Sequence, residues 1–115
     1  MPLIYKILPA PLWREAERAG QFLGSEVDLR DGFIHFSTAA QAEETAAKHF
    51  AGQADLLLVS VDADALGPAL KWEPSRGGAL FPHFYGALDT TTVRKVEPLP
   101  LGSHGRHMFP PLATI

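Results

Sequence analysis

The sequence predicts an α+β fold, with helices gathered early and strands late. Three observations predict it. Apolar residues recur at helical spacing in residues 12–19 and again after Thr38. Short β-rich runs then follow one another from residue 55 onward. No regular strand–helix alternation appears, so a parallel βαβ sheet is not expected.

Each element follows in order. Residues 3–8 form an apolar, β-rich run that stops at Pro9 and Pro11, a first strand. Leu12, Trp13, Ala16 and Ala19 share a helical face. Pro11 suits the first helical turn, and Gly20 stands where a C-cap belongs. Residues 21–31 are polar and broken by Gly24, so they read as a loop. Residues 32–36 read as a strand. Thr38 and Gln41 fit a capping box that opens a helix running through Ala42, Ala46 and Phe50 to about Gly52.

Residues 55–61 are almost continuously apolar, as in a strand buried on both faces. Residues 62–68 read as a turn or single helical turn, and 69–73 as a short strand. Residues 74–78 read as a loop whose two glycines allow unusual backbone angles. Residues 80–88 are a strand in which Pro82 points to an edge or a bulge. Residues 90–96 are a β-branched strand. The proline- and glycine-rich tail from Glu97 is expected to be irregular. No repeat, linker or second domain is visible, so residues 1–115 are expected to be one domain.

Composition excludes several classes of function. Hydrophobic residues make up 46% and charged residues 20%, as in soluble globular proteins. There is no cysteine, which removes disulfides, zinc–thiolate sites and cysteine nucleophiles and fits a reducing cytoplasm. The N-terminus lacks a signal-peptide pattern, and the run Leu56 to Val61 is too short to cross a bilayer. A net charge of -3 argues against broad nucleic-acid binding.

The candidate chemistry lies in two blocks, Asp31-Gly32-Phe33-Ile34-His35-Phe36-Ser37-Thr38 and Phe81-Pro82-His83-Phe84-Tyr85-Gly86. Each places a histidine among bulky apolar residues, where an imidazole needs partners for its ring nitrogens. In a strand, residues two apart share a face. Phe33, His35 and Ser37 are therefore expected together, opposite Ile34 and Phe36. His83 and Tyr85 are expected together, opposite Phe84. The helix opened by Thr38 adds backbone amides suited to a phosphate or carboxylate. In the plainer reading, His35 bonds a backbone carbonyl and Thr38 only caps.

Glu73 and Arg76 lie in Lys71-Trp72-Glu73-Pro74-Ser75-Arg76-Gly77-Gly78. Glu73 can orient a ribose hydroxyl or steady a developing positive charge, and Arg76 can grip a phosphate. A surface salt bridge beside a turn is the alternative. His104 and His107 have metal-like spacing, but no Cys, Asp or Glu nearby completes a set, so no metal site is expected. His49 near a helix end is ordinary. Trp13 and Trp72 are expected in the core.

These blocks, with Ile4-Tyr5-Lys6-Ile7, Trp13, Gln41, Asp55-Leu56 and Lys71-Trp72-Glu73, resemble a family of small bacterial domains of unknown function. The match runs in order over nearly the whole chain. That family looks like a compact relative of the ADP-ribosyltransferase fold, shared with RNA 2′-phosphotransferases. The resemblance implies two small twisted sheets around a cleft, with NAD or ADP-ribose as the cofactor class. By order along the chain it matches His35-Phe36-Ser37 to the second motif of that fold, and the later motif to either Glu73 or the His83-Phe84-Tyr85 strand. Taken with the residue readings above, catalytic roles are expected of His35, Glu73 and His83, and ligand contacts of Ser37, Thr38, Arg76 and Tyr85. Where a transferase carries His or Arg on the first strand, this chain has Tyr5 and Lys6.

The sequence is compatible with three functions. One is a cleft that binds a nucleotide-like or phosphorylated ligand. Another is an active or former ADP-ribosyl or phosphoryl-ADP-ribose transferase. The third is an interaction module whose histidines are structural.

Overall fold

The computed structural model describes residues 2–112. Among them are three short antiparallel sheets and three α-helices. The first sheet has the order β1 (Leu3–Pro9), β4 (Leu56–Asp62), β8 (Val93–Leu99). Alternation along β1 and β4 splits their side chains between two faces. Ile4, Leu8, Val59 and Val61 enter one core cluster, together with Trp13, Ile34, Phe36 and Phe84. Tyr5, Ile7, Leu56 and Leu58 enter a second, with Ala46 and Leu99. The central strand β4 is therefore covered on both sides, which is why its sequence is so uniformly apolar.

Helix α1 (Ala10–Ala19) buries Ala10, Trp13 and Ala16, and Gly20 closes it in the left-handed conformation at φ 83°. Helix α3 (Ala39–His49) opens on the expected box: Thr38 Oγ1 accepts from Gln41 N at 3.3 Å, and Gln41 Oε1 accepts from Thr38 N at 3.0 Å. The third sheet runs β3 (Ile34–His35), β6 (Leu80–Phe84), β5 (Leu70–Pro74). It carries the candidate site.

Several expectations need correction. There are three sheets, not two, because β2 (Gln21–Phe22) and β7 (Leu88–Asp89) pair separately. The expected loop at 21–31 contains β2 and helix α2 (Glu26–Asp31). The expected strand at 80–88 is divided into β6 and β7. Residues Thr90–Thr92 form a 3₁₀ turn, and β8 continues through Leu99 into the supposed tail.

Pro82 lies on the central strand rather than an edge. Its carbonyl accepts from Phe36 N at 3.0 Å. In an antiparallel ladder the N–H of a residue faces the same neighbour as its C=O. The bond that Pro82 cannot donate is the return bond to Phe36 O, so the β3–β6 ladder ends at that pair. Trp72, expected in the core, is 43% exposed and lies on edge strand β5. Trp13 is buried, and its Nε1 has no hydrogen-bond partner among the described residues.

Candidate functional site

The site is built from beneath by a buried carboxylate. Asp28 lies on α2 and is 1% exposed. Ser25 and Asp28 form the helix start, with Ser25 N donating to Asp28 Oδ2 at 2.9 Å. Gly24, at φ 130°, lets the chain pass close by: a Cβ there would stand 2.8 Å from Asp28 Cβ. Lys6 shares a face of β1 with Ile4 and Leu8, and its buried ammonium lies 3.0 Å from Asp28 Oδ1 and 2.8 Å from Oδ2. Asp28 Oδ1 also accepts from His35 N at 3.1 Å and meets His35 Nδ1 at 2.6 Å.

This ion pair sets opposing electrostatic demands. Burial alone would raise the Asp28 carboxyl, but the hydrogen bond from His35, the Lys6 charge and the Lys6 and Ser25 donors together hold it well below the usual carboxylate range. Burial pushes the Lys6 ammonium below its ordinary value, and the Asp28 charge resists that shift. A carboxylate can only accept, so the proton of His35 Nδ1 points at Asp28 and the ring is oriented from below.

His35 pairs with His83 across β3 and β6, and His83 pairs with Lys71 on β5. The imidazole centroids are 5.5 Å apart. His83 Nδ1 lies 2.7 Å from Glu73 Oε1, and the Tyr85 hydroxyl donates to the same oxygen at 2.7 Å. Those two hydrogen bonds, Tyr85 first, lower the Glu73 carboxyl, and Glu73 in turn raises the Tyr85 phenol. Phe33 lies over the group. Its ring stacks on His83 at 4.1 Å and sits 4.5 Å from His35 and 5.2 Å from Tyr85. Among the described residues His83 Nε2 has no hydrogen-bond partner, and the side chain is only 7% exposed, with Phe33 stacked on its ring.

The structure brings His35, Glu73, His83 and Tyr85 onto one face. Ser37 and Thr38 are occupied elsewhere. Ser37 Oγ is 2.8 Å from Thr45 Oγ1 on α3, and Ser37 pairs through its backbone with Tyr5. Thr38 caps α3. The Arg76 side chain lies outside the described residues. Sequence reasoning missed Asp28 and gave Lys6 no partner. The signal for Asp28 was Ser25 three residues before it, a helix-start pattern inside what read as loop.

Among the described residues no three His, Asp or Glu side chains are grouped to hold a metal. His104 and His107 do not act together: His104 Nδ1 accepts from Arg106 N at 3.0 Å, and His107 Nε2 lies 2.8 Å from Gln53 O. Two concavities, of about 550 Å³ and about 590 Å³, lie along α3 against the C-terminal segment. Neither includes His35, Glu73, His83 or Tyr85. The imidazoles of the second are engaged with backbone groups, so the β3-β6-β5 face is the stronger chemical candidate. No helix among the described residues is long and apolar enough to cross a membrane.

The chain is a small α+β domain of short antiparallel sheets, with two carboxylate-backed imidazoles side by side on one face. The chain belongs to the family described as "Protein of unknown function (DUF952)", which matches residues 7–96. It is similar to protein CC0527 from Caulobacter crescentus. The crystal structure of that protein is 53% identical, with a TM-score of 0.89 over 92% of this chain and 93% of that one. Its solution NMR structure is 54% identical, with a TM-score of 0.83 over 92% of this chain and 91% of the other. No curated protein matches the chain.

Proposed function

We propose that the Phe33 side of the β3-β6-β5 sheet binds a small nucleotide-like or phosphorylated ligand. One observation carries this reading: Glu73 Oε1 accepts from both His83 and Tyr85, at 2.7 Å each. That arrangement fixes the His83 ring and leaves Nε2 as an acceptor beside an aromatic surface, which a ligand reaches once Phe33 gives way. A ribose hydroxyl can donate to Nε2, and a flat ring can lie against Phe33 or Tyr85. Lys71, across from His83, supplies positive charge for a phosphate. In any reaction on such a ligand, His83 is the group placed to exchange a proton, Glu73 orients it, and His35 is the second imidazole within reach.

The test is a thermal-shift screen with NAD, ADP-ribose and AMP, followed by calorimetry. At least one should raise the melting temperature, because a ligand that binds only the folded state stabilises it. His83→Ala and Glu73→Gln should each remove most of the affinity. Absence of any nucleotide or phosphate-ester affinity below the millimolar range would overturn the reading.

ADP-ribosyl transfer on an ADP-ribosyltransferase-like fold is the finer form of this proposal. The position of Lys6 weighs against it, since the ammonium is buried against Asp28 rather than offered to a ligand. NAD should therefore turn over slowly or not at all. The interaction-module reading rests on a different observation. Leu23, Val27 and Leu29 are 59%, 40% and 65% exposed on and beside α2. If nucleotides do not bind, that segment becomes the first place to look for a partner.

A further inference from the structure

Asp31 stands where a ligand oxygen would stand. Its Oδ2 lies 3.1 Å from His35 Nε2, while Oδ1 accepts from Arg30 Nε at 3.2 Å. The contact with His35 is one of ion-pair distance and not a hydrogen bond. An imidazolium at His35 would hold an anion at this distance by charge, and at present a residue of the chain fills that place.

Asp31 is an occupant that can leave. Its side chain is 33% exposed, against 1% for Asp28. It ends α2, where the free carbonyls disfavour a carboxylate. The next residue is Gly32, in the left-handed conformation at φ 89°, where the chain turns. Asp28, by contrast, is held by Lys6, Ser25 and His35 and cannot be exchanged without burying an unpaired ammonium.

We propose that Asp31 marks the seat of a phosphoryl oxygen, and that a phosphorylated ligand displaces it from His35 Nε2. This inference rests on the binding reading above and gives it a chemical direction. The face holds three carboxylates, Asp28, Asp31 and Glu73, and a phosphate meets less repulsion once Asp31 has swung away. The phosphate would lie at His35, and the ribose or ring at His83 and Phe33. Asp31 would then set ligand affinity from inside the chain.

The test is calorimetric titration of AMP and of inorganic phosphate into the intact protein and its variants. Asp31→Asn should bind AMP up to about fivefold more tightly than wild type, the scale of releasing one exposed ion pair. The gain should vanish in Asp31→Asn/His35→Ala. Glu44→Gln, which removes an exposed carboxylate from α3, should leave affinity unchanged. Circular dichroism would establish that each variant is folded. Wild type that binds AMP with no gain in Asp31→Asn, or a gain that survives loss of His35, overturns this inference alone. Failure of wild type and Asp31→Asn alike to bind AMP or phosphate overturns this inference, and the binding reading falls with it only when NAD and ADP-ribose also fail to bind.

Discussion

His35 and His83 face each other across the β3–β6 ladder with ring centroids 5.5 Å apart, yet their Nδ1 atoms turn to carboxylates on different elements. Asp28 on α2 holds one from inside the protein, and Glu73 on edge strand β5 holds the other near the surface. The two imidazoles are thus oriented independently. Removing one carboxylate should disturb one ring and spare the other, and this separability shapes the predictions that follow.

The Lys6–Asp28 pair is buried, so breaking it leaves an uncompensated charge. Lys6→Met should lower unfolding stability by ~3–5 kcal/mol in urea denaturation. A loss under about 1 kcal/mol, the scale of a surface pair, would mean that the two groups are solvated in the native state.

Acid should act through Asp28. Its folded pKa lies below the unfolded value, so the stabilisation is fully present above the ordinary carboxylate range near pH ~4. It is lost as pH falls through that range toward the lower folded value. Wild type should therefore lose stability progressively on acidification below about pH 5. Asp28→Asn, less stable at neutral pH, should show a flatter acid profile. Parallel profiles for the two proteins would contradict the assignment.

Tyr85→Phe removes the leading hydrogen bond on Glu73. The Glu73 carboxyl should then titrate closer to its ordinary range, as followed by NMR of its side-chain carbon. His83 should stay bonded to Glu73. An unchanged Glu73 titration would show that Tyr85 does not bond it in solution.

Thr38→Ala should cost about 1 kcal/mol of stability, the usual loss for a helix cap. The effect should be the same with or without ligand, because the hydroxyl is bonded within α3. A selective loss of ligand affinity would return Thr38 to the binding site.

The sequence made some of this site legible and hid the rest for physical reasons. The i, i+2 rule placed His83 beside Tyr85 and Phe33 beside His35, because extended backbone keeps alternate side chains on one side. The same rule misjudged Ser37. Strand β3 is only two residues long, and after Phe36 the chain leaves β6 to pair with Tyr5 of β1. Thr38 and Gln41 announced α3 plainly. Helix α2 was hidden because six residues show too little periodicity, and Gly24 read as a loop breaker rather than as room for Asp28. Lys6 could not be understood alone, since its partner is 22 residues away.

The most direct test of the ligand-binding face is a titration of AMP and ADP-ribose into ¹⁵N-labelled protein, followed by amide NMR shifts. The largest changes should fall on Phe33, His35, Lys71, Glu73, His83 and Tyr85. Changes confined to residues 39–47 and 104–109, or none with either compound at millimolar concentration, would contradict the account.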